Sequence, residues 1–297
     1  MTAQIIDGKA IAQQICNKLK NKISALNDSV PVLAVILVGD NEASRIYVRN
    51  KKKKAEETGI DCHIIELAPG IGENALLATI DELNADPHIN GIIVQLPLPP
   101  HLDEQKIISR ISPDKDVDGF TPYNSGLLSY NNPQTFISAT PKGVLELLKT
   151  TGVDLVGMHA VVIGRSNIVG RPMAKLLLNN DCTVTITHSH TRNLKQITQS
   201  ADIIVSACGQ AKMIKSDWIK EGAIIIDVGI NRIDGHLCGD VDFDNVKEKA
   251  SFITPVPGGV GPMTIAMLLE NTYEAFERAE KNGHQHCCHH ADCHCHH

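Results

Sequence analysis

Ser44, Tyr47 and Lys51 stand at i, i+3 and i+7, a spacing that puts all three on one face of the helix expected over residues 42–57. A lysine facing an apolar cleft loses hydration, and neighbouring cations add to the effect, so its pKa falls towards neutrality. A neutral amine can move protons. Tyr47 would offer an aromatic wall to a flat ring. Residues 51–54 are all lysine, and such a run is ordinarily a solvated face. Lys51 is set apart because it shares the face of Tyr47.

Three loops carry further candidates. The apolar run 89–94 reads as a buried parallel strand, followed by Gln95-Leu96-Pro97-Leu98-Pro99-Pro100. Proline has no ladder donor, so the strand stops at Gln95. Gln95 then becomes a fixed hydrogen-bonding group at the carboxyl end of a strand, where open α/β sheets bind ligands. It is suited to orienting the Lys51 amine. In Asp116-Val117-Asp118-Gly119-Phe120, a carboxylate among small and apolar neighbours can accept two hydrogen bonds from an amino-pyrimidine edge. The ordinary role of Asp-Gly is a turn, and two acids without further ligands make a weak metal site. The segment 255–264, Pro-Val-Pro-Gly-Gly-Val-Gly-Pro-Met-Thr, gives a backbone that a ligand can approach closely, just ahead of a helix N-terminus.

Residues 161–172, Val-Val-Ile-Gly-Arg-Ser-Asn-Ile-Val-Gly-Arg-Pro, read as strand, tight turn and helix start. Gly164 lets the chain turn and Gly170 permits close packing. Free N–H groups at the helix start are expected to hold a pyrophosphate. Ser166 stands where G-x-G-x-x-G has its middle glycine. The next strand ends Thr187-His188-Ser189-His190-Thr191, with no carboxylate for the ribose hydroxyls of NAD. A 2′-phosphate is therefore tolerated, Arg165 and Ser189 are candidates to contact it, and NADP is favoured over NAD. Tyr-x-x-x-Lys also occurs in short-chain dehydrogenases, but there it follows the nucleotide loop and here it precedes it, so that parallel is set aside.

These pieces need a scaffold. Helix signals cover 7–26, 42–57 (closed by Gly59), 73–83 and 141–150, and a last amphipathic helix covers 263–281. Strand signals cover 32–38, 63–67, 89–94, 160–163, 183–187, 203–207, 223–228 and 252–256, and 112–133 is a loop-rich zone. Repeated β-α implies parallel sheets with right-handed crossovers. The expected architecture is α/β with two domains and a cleft between them. Residues 1–138, completed by the helix 263–281, form the first. A Rossmann-like dinucleotide-binding domain with a parallel sheet spans 139–262, and a flexible His/Cys-rich tail follows over 282–297. Hydrophobic residues make up 42% of the 297 and aromatic residues only 3%, so the core is aliphatic, which suits buried parallel strands. The net charge of -6 argues against nucleic acid as main partner. No run is long enough to span a membrane, and the start lacks a signal-peptide pattern. A cytoplasmic location is expected, with Cys16, Cys62, Cys182, Cys208 and Cys238 reduced.

Taken in order, segments 44–51, 95–99, 114–120, 164–172 and 255–264 resemble the bifunctional methylenetetrahydrofolate dehydrogenase/cyclohydrolase family, over roughly Ile5 to Glu280. The resemblance implies oxidation of 5,10-methylenetetrahydrofolate to the methenyl form with hydride passing to the nicotinamide, then hydrolysis to 10-formyltetrahydrofolate. It implies that Lys51 is the catalytic lysine, Gln95 its partner, Tyr47 the residue packed on the folate and Asp118 the reader of the pterin. Ser44 belongs to the same substrate-binding segment. Gly164, Arg165, Ser166, Ser189 and Ile230 match cofactor-contacting positions, Gly259 and Pro262 match a loop that closes over the folate, and a homodimer is expected.

The tail lies outside the resemblance. His286, Cys287, Cys288, Cys293 and Cys295 are candidate ligands for a transition metal there, without the spacing of a folded zinc site. No metal is expected in the catalysis. The competing readings are a monofunctional dehydrogenase, an NADP dehydrogenase for a small acid or amino acid, and a metal-binding protein with an inactive core.

Overall fold

The structure is a computed structural model that describes residues 2–26 and 29–291, the stretch 283–291 as backbone only. The first half of the chain runs β1 (Gln4–Ile5), α1 (Gly8–Ser24), β2 (Val32–Val38), α2 (Glu42–Thr58), β3 (Asp61–Leu67), α3 (Glu73–Ala85), β4 (Gly91–Val94), α4 (Glu104–Arg110), α5 (Pro122–Ser129) and α6 (Ala139–Thr150). The second half runs β5 (His159–Ile163), α7 (Gly170–Leu178), β6 (Thr183–Thr187), α8 (Leu194–Gln199), β7 (Ile203–Ser206), β8 (Ile224–Asp227), β9 (Asn231–Ile233), β10 (His236–Cys238), α9 (Phe243–Val246), β11 (Phe252–Ile253) and α10 (Val260–Ala291).

The backbone divides into two compact units. One holds Cys16–Tyr123 and the chain from Leu268 onwards; the other holds the chain to Ile15 with Asn124–Met267. The first unit has a three-stranded parallel sheet in the order β3-β2-β4, with Val35 beside both Ile64 and Ile93. The second has a six-stranded parallel sheet in the order β1-β11-β8-β7-β5-β6, and β9 and β10 form a separate antiparallel hairpin. The central strands are near-continuous Val/Ile/Leu runs because both faces are covered. In the three-stranded unit Ile36, Val94, Leu76, Ile80 and Ile107 pack together, and in the six-stranded unit Val161, Ile204, Ile225 and Ile253 do the same. Each such burial contributes about 1.5–3 kcal/mol. No described helix is long and apolar enough to cross a membrane.

Several elements depart from the sequence expectation. The first residues group with the six-stranded unit, because Ile5 lies beside Ile253 in that sheet. The loop-rich zone contains α5, whose Asn124, Ser125 and Gly126 are poor helix formers. Tertiary bonds hold it: Asn124 Oδ1 accepts from Phe136 N at 3.2 Å, and Lys175 Nζ donates to Ser125 O at 3.0 Å. α4 is announced by Asp103, whose carboxylate accepts from Gln105 N and Lys106 N. α10 begins at Val260 rather than 263, with Pro262 in the first turn where a missing N–H costs nothing. It also runs through Asn282-Gly283 to Ala291 instead of ending there, since a single helical glycine costs only about 1 kcal/mol. The side chains of His286, Cys287 and Cys288, and all of Cys293 and Cys295, lie outside the described residues. Among the described residues no group of three His, Cys, Asp or Glu side chains is placed to hold a metal.

Candidate active site

In the three-stranded unit the site begins with α2. Asn41 starts it by accepting from Ser44 N at 3.0 Å, and Gly59, left-handed at φ 91, ends it. Ser44, Val48, Lys51, Ala55 and Thr58 form its buried stripe. Lys51 therefore belongs to the buried face, only 5% exposed, whereas Lys52 and Lys54 reach out to pair with Glu56 and Glu57. The Lys51 Nζ stands 4.9 Å from the centroid of the Tyr47 ring. Its Nζ donates to Gln95 Oε1 at 3.1 Å. Gln95 is itself fixed: its backbone N donates to Ile36 O at 2.9 Å and its Nε2 to Leu96 O at 2.7 Å. With the amide nitrogen committed to Leu96, only the oxygen is left for the lysine. The Leu96–Pro97 bond that follows is cis.

Burial lowers the Lys51 pKa, and Asp118 and then Cys62 pull it back. Desolvation is the cause; the neighbouring cations expected from the lysine run contribute nothing resolved, since they point to solvent. Burial pushes Tyr47 up to about 12, with Asp118 adding to it. Asp118 is half-buried and is pushed up to about 6 by desolvation, with Lys51 opposing and Asp116 reinforcing.

The two acids of the Asp116–Asp118 segment have different tasks. Asp116 is fully buried and its carboxylate accepts from Phe120 N at 3.1 Å and Thr121 N at 2.9 Å, closing the turn. Asp118 is the one coupled electrostatically to Lys51 and Tyr47. Three contacts fix this segment. Ile92 N donates to Lys115 O at 2.8 Å. Lys115 Nζ donates to the carbonyls of Leu83, Asn84 and Asp86. Asn271 Nδ2, buried on α10, donates to Val117 O at 2.8 Å. Sequence reasoning passed over Asn271; the available signal is a polar residue within the buried run Leu268, Leu269, Asn271, Thr272.

In the six-stranded unit the turn after β5 is built for close approach. Gly164 has φ +125, and a Cβ there would lie 2.3 Å from Ala207 O. A Cβ on Gly170 would lie 2.2 Å from Gly164 O. Ser166 does more than replace a glycine. Its Oγ accepts from Val169 N and Gly170 N at 3.2 and 3.3 Å, and its carbonyl accepts from Arg171 N at 3.0 Å. The first N–H groups of α7 are thus held by Ser166 rather than free, which corrects the sequence expectation. Arg165 and Ser189 are exposed, and the strand end 187–191 carries histidines and no carboxylate. Burial, then Arg165 and His190, holds His188 below the usual histidine range. Two close-packed glycines, a strand-to-helix turn that carries the Arg165 guanidinium, and a strand end without a carboxylate fit an NADP dinucleotide. Replacing Gly164 with Ala is expected to cost roughly 1–3 kcal/mol of stability from strain and overlap and to raise the NADP KM at least tenfold. Denaturant titration and initial rates check this, and native-like values in both would contradict it.

Ile230, Gly259 and Pro262 line one pocket of about 150 Å³, together with Asp227, Leu237 and Pro257. Lys9 N donates to Gly258 O at 2.9 Å, which ties the start of α1 to this loop. The predicted residues therefore form two sets. Ser44, Tyr47, Lys51, Gln95 and Asp118 sit in the three-stranded unit, and Gly164, Arg165, Ser166, Ser189, Ile230, Gly259 and Pro262 sit in the six-stranded unit.

A dinucleotide turn in one α/β unit and a desolvated lysine in the other define a two-domain α/β dehydrogenase. The chain belongs to the tetrahydrofolate dehydrogenase/cyclohydrolase family, whose catalytic domain matches residues 6–118 and whose NAD(P)-binding domain matches residues 138–280. A "Bifunctional protein FolD" from Listeria innocua is 55% identical over 281 residues, covering 94% of this chain and 99% of that protein. The crystal structure of the bifunctional FolD dehydrogenase/cyclohydrolase from Campylobacter jejuni superposes with a TM-score of 0.92 at 49% identity, covering 94% of this chain and 99% of that one. The Trypanosoma brucei enzyme, solved with NADP cofactor and an inhibitor, superposes with a TM-score of 0.89 at 40% identity, covering 94% and 99%.

Proposed function

We propose that Lys51 is the proton-transfer group of this enzyme, with Gln95 orienting its amine, Tyr47 packing on the folate, Ser44 supporting the same surface and Asp118 reading the pterin. The enzyme oxidises 5,10-methylenetetrahydrofolate to the methenyl form with NADP and then hydrolyses it to 10-formyltetrahydrofolate. NADP, when bound, takes the hydride; Gly164, Arg165, Ser166, Ser189 and Ile230 are the residues proposed to hold it, and Gly259 and Pro262 those proposed to close on the folate.

Loss of hydride leaves a cation delocalised over two folate nitrogens, so this step needs placement more than a base. Tyr47 supplies a face for the ring, and Asp118 two acceptor oxygens for the amino-pyrimidine edge. Hydrolysis needs protons moved. As water adds to the cationic one-carbon bridge, the neutral Lys51 amine takes a proton from its oxygen. It returns that proton to the departing ring nitrogen as the C–N bond opens, and the remaining hydroxyl proton passes to solvent as the C=O forms, leaving the formyl group on the other nitrogen. Burial favours the neutral amine, and Gln95 Oε1 holds one of its N–H bonds.

The observation that carries this reading is the bond from the buried Lys51 Nζ to half-buried Gln95 Oε1 beside the Tyr47 ring. The test is an absorbance assay of the purified chain with 5,10-methylenetetrahydrofolate and either NADP or NAD. Faster reduction of NADP with little lasting methenyl signal is expected. Accumulating methenyl-folate would make the chain a monofunctional dehydrogenase and remove the role of Lys51; no reduction with either cofactor would mean an inactive core. A homodimer in the cytosol is part of the same proposal and rests on the family resemblance. Metal binding by the His/Cys-rich tail is proposed from its composition alone.

A further inference from the structure

Two buried carboxylates in the six-stranded unit lie outside the chemistry above. Asp240 is 0% exposed and follows the β9–β10 hairpin. Its Oδ2 accepts from Cys208 N at 2.8 Å, Gly209 N at 3.2 Å and Ser206 Oγ at 3.3 Å, and the Cys208 thiol points at the same oxygen from 3.3 Å. Its Oδ1 accepts from Gln210 N at 2.8 Å and Asn231 Nδ2 at 2.9 Å. One carboxylate thus gathers three successive backbone N–H groups of the turn after β7 and a side chain just past Ile230. Asp227, 3% exposed, holds the hairpin end in return, accepting from Gly229 N, Asp240 N and Val241 N at 2.9–3.0 Å. The two acids also fill each other's surroundings. A Cβ on Gly229 would meet the Asp240 carboxyl at 2.2 Å, and one on Gly239 would meet Asp227 Oδ2 at 1.8 Å.

Both gathered segments touch the dinucleotide machinery. The turn after β7 begins at Ala207, whose carbonyl presses on Gly164. The segment after β8 carries Ile230, one of the residues proposed above to hold NADP. Three consecutive N–H groups converging on one carboxylate form an anion nest, a backbone shape that a neutral side chain holds poorly.

We propose that Asp240 is a positioning residue for the cofactor: its carboxylate fixes the turn 208–210 and Asn231 in the geometry that receives the nicotinamide nucleotide. The inference rests on the NADP reading above. Asparagine at 240 keeps the size but turns an amide N–H₂ towards backbone donors. The turn then opens, and cofactor use suffers more than folate use.

The test compares the full native chain with Asp240→Asn and Asn231→Ala. Each is assayed for NADP-dependent oxidation of methylenetetrahydrofolate and, separately, for hydrolysis of methenyltetrahydrofolate, which consumes no nicotinamide. Asp240→Asn is expected to raise the NADP KM at least tenfold while its hydrolysis stays within twofold of native. Asn231→Ala, which removes one donor from the half-buried side, is expected to raise the NADP KM two- to fivefold. An NADP KM within twofold of native in both variants would overturn the proposal. So would equal loss of both activities in Asp240→Asn with Asn231→Ala unchanged, because that marks a purely structural acid. A native chain that turns over no NADP would instead strike the reading beneath it.

Discussion

Lys51→Met is expected to lose cyclohydrolase activity by about 10²–10⁴-fold, the range of general acid–base catalysis, while folding normally and melting no lower than the native chain. The two halves of this result have one cause. Lys51 is 5% exposed and its pKa is lowered by burial. In the window between that lowered pKa and 10.5, the unfolded chain binds the proton that the folded chain has given up. Stability therefore rises with pH across that window, and below it the buried ammonium is a cost to the fold. Methionine fills nearly the same space without a charge, so the cost disappears together with the group proposed to move protons. Gln95 loses its partner, but half-buried it can turn to water. Methenyl hydrolysis above the buffer rate and a thermal melt check both halves. Near-native hydrolysis would remove the assignment. A large drop in Tm would show that the lysine is structural.

Asp118→Asn is expected to raise the folate KM about 10–100-fold in both activities, since a hydrogen bond to a charged group contributes about 1.5–3 kcal/mol. It is also expected to raise Tm at neutral pH. The Asp118 carboxyl is pushed up to about 6 by desolvation. Between the ordinary carboxylate range and about 6 the folded chain holds a proton that the unfolded chain lacks. Stability accordingly falls as pH rises through that window, and the ionised group is a cost at neutral pH. Removing it is worth a few degrees, at about 2–4 °C per kcal/mol for a domain of this size. For the native chain, folate affinity should weaken as pH drops below about 6, where the acceptor takes up its proton. Folate titrations from pH 5 to 8 and melts at pH 7 check these statements, and unchanged kinetics with both folates would reduce Asp118 to a turn residue. Functional groups that destabilise their fold are expected where a site needs desolvated charge.

Much of this arrangement is legible in the residues themselves. The stripe through Ser44, Val48, Lys51 and Ala55 is plain in the sequence, because a 3.6-residue period projects it directly. The end of β4 at Val94 follows from the prolines after it. The separate tasks of Asp116 and Asp118 are not legible, since they depend on which carboxylate meets the N–H groups of Phe120 and Thr121. α5 is hidden because tertiary bonds, rather than helix propensity, make it a helix. Ser166 reads as a defect in a glycine motif, yet it satisfies the helix start itself. Asn271 and Asp240 are missed for a common reason: their partners are far along the chain, 154 residues away for Val117 and about 30 for the turn after β7. Local pattern carries no information about such pairs.

Burial lowers the Lys51 pKa, and the measurement that tests most directly whether this amine moves protons is the pH–rate profile of methenyltetrahydrofolate hydrolysis, with the buffer rate subtracted. The native chain should show a rate that rises with pH through an apparent pKa well below the 10.5 of an ordinary lysine, and this limb should be missing from the residual rate of Lys51→Met. The same limb in both proteins, or a native profile that is flat until pH 10, would contradict it.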